Sequence, residues 1–183
     1  MMNKQSKFIL ALILLWLSPP ALTETGNPGS LPLIQISDLE YQGAFIIPSA
    51  TYGDSRADNV TGQMEYNPEN HSLFFAGKTI DGAIAEFSIP LLVNSTDVSA
   101  LNTATVLQNF RSILDLTADT NPQGLDRVTG IKLFNGKLIV NAVGFYDAGA
   151  DNTHTTLVIE DASDLANSSV SGYYELEGRA IRS

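Results

Sequence analysis

Short runs of apolar residues recur along this chain, separated by turn chemistry, and the arrangement comes back a second time. Val60-Thr61-Gly62 opens a pattern that returns as Val128-Thr129-Gly130, 68 residues later. In the first copy, Gly62 to Tyr66, Leu73 to Gly77 and Ala83 to Ile89 read as three strands, the last stopped by Pro90. In the second, Ile131 to Phe134, Lys137 to Val143 and Thr155 to Ile159 follow the same plan. Asn67-Pro68-Glu69-Asn70 joins the first two strands of copy one, with proline presetting φ and asparagine tolerating left-handed geometry. Asn135-Gly136 does the same in copy two, where a type I′ turn wants positive φ at both central residues. Each copy closes on a similar run, Leu92-Val93-Asn94-Ser95-Thr96 and Leu165-Ala166-Asn167-Ser168-Ser169.

Leu73 therefore corresponds to Leu138, and the copies differ mainly in loops. The second carries eight additional residues between its second strand and its closing run, placed in Gly144 to His154. Insertions in repeat proteins map to loops, often on the binding face. Ahead of copy one, Leu39 to Ile47 alternates, with Leu39, Tyr41, Phe45 and Ile47 on one side, and predicts a strand ended by Pro48. Residues 49–59 read as a polar loop. Val106 to Phe110 is the expected outer strand of copy one, and Tyr173 to Ala180 that of copy two.

Short strands with frequent turns and almost no helical periodicity predict an all-β protein. A multi-strand unit that recurs as a whole favours antiparallel propeller-type blades, about two of them, over a β-sandwich, which requires no repeat. Copy one spans about 39–116 and copy two about 128–183. Two blades cannot close a ring, so the expectation is an incomplete propeller, truncated at the C-terminus.

Three segments add a resemblance. Glu40 to Phe45, Glu65 to Phe74 and Ala85 to Pro90 are similar to the opening of a group of secreted bacterial propeller-type proteins. The similarity runs through both copies. It implies the propeller fold, export and a longer polypeptide, and it implies no particular activity.

The first residues support export independently. Lys4 and Lys7 precede an uninterrupted apolar run, Phe8 to Leu17, which Ser18-Pro19-Pro20 breaks before the small residues Ala21 and Thr23. That layout predicts a signal peptide over 1–23, because ten apolar residues fall short of the ~20 a spanning helix needs. Residues 24–38 are a leader. A secreted or periplasmic chain without a membrane span follows. It holds no cysteine, so neither disulfides nor a cysteine-linked lipid contribute.

The formal charge is −10, and the predicted signal takes two basic residues and no acidic ones, leaving −12. Such a surface repels phosphate backbones and anionic lipid, which removes nucleic acid from the expected partners.

Chemistry-bearing residues gather in one place, the enlarged loop. Tyr146, Asp147, Asp151, Asn152 and His154 are the candidate ligand-binding residues. His154 could act as a base if Tyr146 or Asp151 folds back onto it. Asp147, Asp151 and Asn152 offer the hard oxygens that Ca²⁺ accepts, and Asp54, Asp58 and Asn59 offer a similar set in an earlier loop. Neither matches an EF-hand loop, and no cofactor motif is evident. His71 reads as a solvated loop residue. The catalytic residues are unknown. These features favour a non-catalytic binding or scaffold propeller acting on an extracellular or periplasmic ligand. The alternative is part of a propeller-fold enzyme, a carbohydrate-active hydrolase or lyase or a quinone-dependent dehydrogenase, whose site further blades complete.

Overall fold

The computed structural model describes residues 33–149 and 151–175. The predicted signal peptide and the leader through residue 32 lie outside the described residues, as does the predicted outer strand beyond Glu175. Residues 33–40 belong to a unit separate from the rest. There a single 3-10 turn, Ile36–Asp38, is closed by the Gln35 N–H donating to Asp38 Oδ2 at 2.8 Å.

From Tyr41 onward the chain is all-β, with no α-helix among the described residues. A small hairpin pairs β1 (Thr51–Tyr52) with β2 (Ser55–Arg56). The first four-stranded sheet runs β3 (Met64–Asn67), β4 (Ser72–Ala76), β5 (Ala83–Ser88) and β6 (Val106–Ser112). A second contains β7 (Arg127–Phe134), β8 (Lys137–Val143), β9 (Thr156–Ile159) and β10 (Val170–Tyr174). Both are plain meanders in which each strand pairs antiparallel with the one before it.

The turns explain the pairing. Asn135 and Gly136 hold φ of 49° and 74°, the geometry whose twist matches that of the flanking strands. In the first sheet the Asn67 side chain accepts the Glu69 N–H at 3.1 Å, and His71, at φ 48°, brings the chain back.

The two sheets share one register. Leu73 pairs with Phe87 and Phe75 with Ala85; in the second sheet Leu138 pairs with Ile159 and Val140 with Leu157. On the opposite face, Phe74–Glu86 and Ala76–Ile84 correspond to Ile139–Val158 and Asn141–Thr156. Equivalent faces are packed alike. In the first sheet Phe75, Ala83, Ala85, Phe87 and Phe110 pack beneath Phe45, Ile47, Tyr52 and Val60 of the preceding segment. Phe87 is the centre of that layer, edge-on to Phe75 at 6.2 Å, Phe110 at 5.7 Å and Tyr52 at 6.3 Å. In the second sheet Leu138, Val140, Leu157 and Ile159 pack on Phe74, Ala76 and Ile84 of the first. Each large apolar side chain buried this way contributes about 1.5–3 kcal/mol, so face-to-face stacking supplies much of the stability of a chain without disulfides. The linker after β6 is tied to β10 by the buried Tyr173 hydroxyl, which donates to the Leu114 carbonyl at 2.6 Å.

Three sequence expectations need correction. The alternating run Leu39–Ile47 makes no strand; only isolated bridges form, Ala44 to Val93 and Ile46 to Thr103. Gly43, at φ 135°, lies so close to the Val93 backbone that a Cβ would stand 2.9 Å from its carbonyl carbon. That kink breaks the period of two. Leu39 and Tyr41 are exposed while Phe45 and Ile47 join a core layer. The polar loop 49–59 contains the β1–β2 hairpin, turned at Gly53 with φ 70°. Finally, the outer strand of copy two begins at Val170, ahead of the expected Tyr173.

Candidate functional site

The enlarged loop between β8 and β9 folds onto itself and onto the linker between the sheets. The Asp147 carboxylate accepts the Asp151 N–H at 2.9 Å and the Asn152 N–H at 3.4 Å, while the Asn152 amide oxygen accepts the Gly144 N–H at 3.1 Å. Gln123 of the linker clamps the far side: its Oε1 accepts the N–H groups of Thr153 and His154 at 3.1 and 2.9 Å. Asp126 accepts the Phe145 N–H at 2.9 Å. The Phe145 ring lies beneath the Arg127 guanidinium, 3.6 Å from its carbon to the ring centroid.

The five candidates are thus brought into one loop but not into one constellation. Tyr146 stands edge-on to Phe145 at 4.8 Å and is 91% exposed. His154 pairs through Nδ1 with Thr153 Oγ1 at 2.9 Å, rather than with Tyr146 or Asp151. Asp147 and Asn152 spend oxygens on backbone N–H groups of their own loop, which is turn chemistry. The earlier acidic set is divided as well: Asp54 accepts the Ser112 N–H at 3.0 Å, and Asp58 pairs with Arg56 at 2.7 Å. Among the described residues no group of three or more His, Asp or Glu is arranged to hold a metal ion. His71 is exposed, as expected, with Nδ1 3.2 Å from the Tyr66 hydroxyl.

A second polar constellation, not anticipated from the sequence, lies where the sheets meet. Glu86 of β5 is 1% exposed. Its Oε1 accepts from Ser72 Oγ at 2.5 Å, Asn67 Nδ2 at 2.9 Å and Asn70 Nδ2 at 3.1 Å; its Oε2 accepts from Gln108 Nε2 at 2.7 Å. Burial pushes the Glu86 carboxyl up, but hydrogen bonds from Ser72, Gln108, Asn70 and Asn67 outweigh it and hold the group below its ordinary value. Gln108 carries the network across to the second sheet, donating to the Ala162 carbonyl at 2.8 Å and accepting the Leu165 N–H at 2.6 Å. Arg111 donates to the carbonyls of Leu165 and Ser168.

Beside this clamp a cleft of about 620 Å³ opens between β6 and the 161–168 loop, lined by Asp54, Leu107, Asn109, Arg111, Ser163 and Asp164 among others. Two register breaks in the β5–β6 ladder re-aim β6 here, the device by which edge strands are kept from pairing with other chains.

The signal for the clamp was present but faint. Glu86 interrupts the apolar run of β5 on the face of Ile84, and a charge there requires partners. Those partners lie up to 22 residues away, and the clamp's further contacts up to 57 from Gln108 and Arg111, so local pattern could not supply them. Set against known proteins, the chain matches no family model, no curated protein and no solved structure.

Proposed function

We propose that this protein is an exported, propeller-type scaffold that binds a ligand through the β8–β9 loop without chemistry of its own. The observation that carries the binding role is Tyr146, an almost fully exposed aromatic ring on a loop pinned by Gln123, Asp126 and Asn152. A rigid aromatic loses little conformational entropy on contact, which makes it an effective anchor. Backbone carbonyls and the carboxamide and carboxylate groups around it offer hydrogen bonds to hydroxyls. The acidic surface disfavours anionic chains, so neutral polysaccharide suits it best. Export is proposed from the basic and apolar N-terminal run, in keeping with the resemblance to secreted propeller-type proteins. The propeller reading is supported by two complete meanders, one following the other, stacked in a common register.

The test is retention of the purified chain on a panel of insoluble neutral polysaccharides, with soluble sugar release measured in parallel. Retention without release, weakened at least tenfold by Tyr146→Ala, is the expected result. Sugar release would replace this reading with an enzymatic one, and no retention on any member would remove it.

A further inference from the structure

The 161–168 loop joins β9 to β10 and so lies at the opposite end of the second sheet from the β8–β9 loop. Between it and β6 is the cleft of about 620 Å³, a size that suits a small ligand. One backbone irregularity shapes its floor. Ile84 pairs with Arg111 and Glu86 with Gln108, so two residues of β6, Asn109 and Phe110, stand opposite Ala85 alone. In a regular strand, side chains three positions apart point to opposite faces. The bulge instead sets Arg111 on the same side as Gln108, where both reach the 161–168 loop.

Re-aimed in this way, Arg111 is held by one nitrogen. Nη1 donates to the Leu165 carbonyl and, at 2.7 Å, to the Ser168 carbonyl. Nε and Nη2 have no partner among the described residues, and neither is fully buried. They form the edge of the guanidinium that takes a carboxylate in two parallel hydrogen bonds. Two carboxylates line the same cleft. Asp54 accepts the Ser112 N–H through Oδ2 and keeps Oδ1 free among the described residues, while Asp164 turns both oxygens to Asn167. No ion pair among the described residues joins Arg111 to either of them. The cleft thus presents both signs of charge, neither cancelled by the other. An anion alone meets the carboxylates and a cation alone meets the guanidinium, whereas a small zwitterion satisfies both. Leu107, half exposed, and Ala166 add an apolar wall, and the Asn109 carboxamide has no partner among the described residues.

We propose that this cleft binds a small zwitterion, an α-amino acid or short peptide with an aliphatic side chain, at a place separate from the loop that carries Tyr146. The ligand carboxylate takes the Nε–Nη2 edge of Arg111, its ammonium takes Asp54, and its side chain lies against Leu107 and Ala166. In a peptide ligand the Asn109 carboxamide meets the peptide bond.

The test is isothermal titration calorimetry of the full chain with L-leucine, glycyl-L-leucine, N-acetyl-L-leucine and L-leucinamide. The first two carry both charges, the third lacks the ammonium and the fourth lacks the carboxylate. Saturable binding of leucine or of the dipeptide is expected, and tighter binding of one tells a free amino acid from a peptide. The two blocked compounds should bind more weakly by about tenfold or more, since each loses a hydrogen bond to a charged group. Asp54→Asn keeps an acceptor for the Ser112 N–H and should weaken the preferred zwitterion by about tenfold. Arg111→Lys keeps the charge, loses the fork and should do the same. Because Arg111 also holds the 161–168 loop, Asp54→Asn decides the question if the lysine variant unfolds. No binding of either zwitterion, equal binding of the blocked compounds, or binding unchanged in a folded variant overturns the proposal. Tyr146→Ala should leave this binding unaltered; a loss there would put the zwitterion in the β8–β9 loop and overturn the proposal as well. Failure of polysaccharide retention moves none of these readouts.

Discussion

Replacing Glu86 by glutamine should destabilise the protein by about 3 kcal/mol, although the change is nearly isosteric and removes a buried charge. The glutamine carbonyl can take the place of Oε1 and keep the three donors from Asn67, Asn70 and Ser72. Those bonds lose their charge assistance, about 1 kcal/mol each. The new amide then faces Gln108 Nε2, a donor, across the former 2.7 Å bond. Gln108 cannot turn its own amide over to relieve this, because its oxygen holds the Leu165 N–H and its nitrogen the Ala162 carbonyl. One unpaired buried donor costs about 1–3 kcal/mol. Burying a neutral amide instead of a carboxylate returns roughly 2 kcal/mol, and about 3 kcal/mol of loss remains. For a chain of this size that corresponds to a fall in Tm of about 6–12 °C. Urea denaturation followed by circular dichroism at pH 7 measures it. A loss below about 1 kcal/mol, or a gain, would refute the reasoning, since buried charges are in some proteins replaced at no cost. Acid supplies a second check. Folding holds the Glu86 pKa below its ordinary value of 4.5, so its contribution is present above about pH 4.5 and is lost as the pH falls through the lower folded value. The gap between the natural chain and Glu86→Gln should therefore close on acidification below about pH 4.5.

Other consequences are simpler to state. Gly136 and Gly53 have similar positive φ, 74° and 70°, but open space surrounds the first while a Cβ on the second would run into the Phe110 carbonyl oxygen. Gly136→Ala should cost about 1 kcal/mol in urea denaturation and Gly53→Ala clearly more, about 2–3 kcal/mol; equal costs would contradict the geometry. The Thr117 hydroxyl is buried and has no partner among the described residues, so Thr117→Val should raise stability by about 1 kcal/mol, and a loss would point to a bond to solvent. Gln123→Ala should speed limited proteolysis within the β8–β9 loop severalfold while shifting global unfolding little, because the clamp acts on that loop alone. Cleavage at an unchanged rate would show that the loop holds itself.

What could be read from the sequence follows the range of the interactions involved. The Asn135-Gly136 turn is local chemistry: the strand after it spans the expected Lys137–Val143, while the strand before it ends at Phe134 as expected but begins at Arg127, four residues ahead of Ile131. Aligning Leu73 with Leu138 anticipated the shared register, because equivalent apolar positions face equivalent neighbours. The run from Leu39 misled because it is apolar at the right period, yet Gly43 bends the backbone against Val93, 50 positions away. The β1–β2 hairpin was hidden in a polar stretch whose strands are two residues each, too short to show a period. For the candidate site, the sequence located the loop but not its internal bonds. Asp147 and Asn152 are the residues a cation site would use and also those a tight turn uses, and their bonds to the Asp151, Asn152 and Gly144 N–H groups depend on how the loop folds back, which the residue types leave open. The Glu86 clamp depends on a loop of the second sheet, which no local pattern could bring to it.

The central claim is that one sheet face recurs in matched register, buried in the first sheet and exposed around Ile139 and Asn141 among the described residues of the second. Ala76 and Asn141 occupy the equivalent positions, one 3% exposed and the other on the solvent side. Single cysteines at these two sites, in a chain that has none of its own, report the difference directly. Asn141→Cys should label with maleimide at close to the rate of a free thiol, and Ala76→Cys only as fast as the protein unfolds. Equal labelling of the two thiols under native conditions would contradict the account.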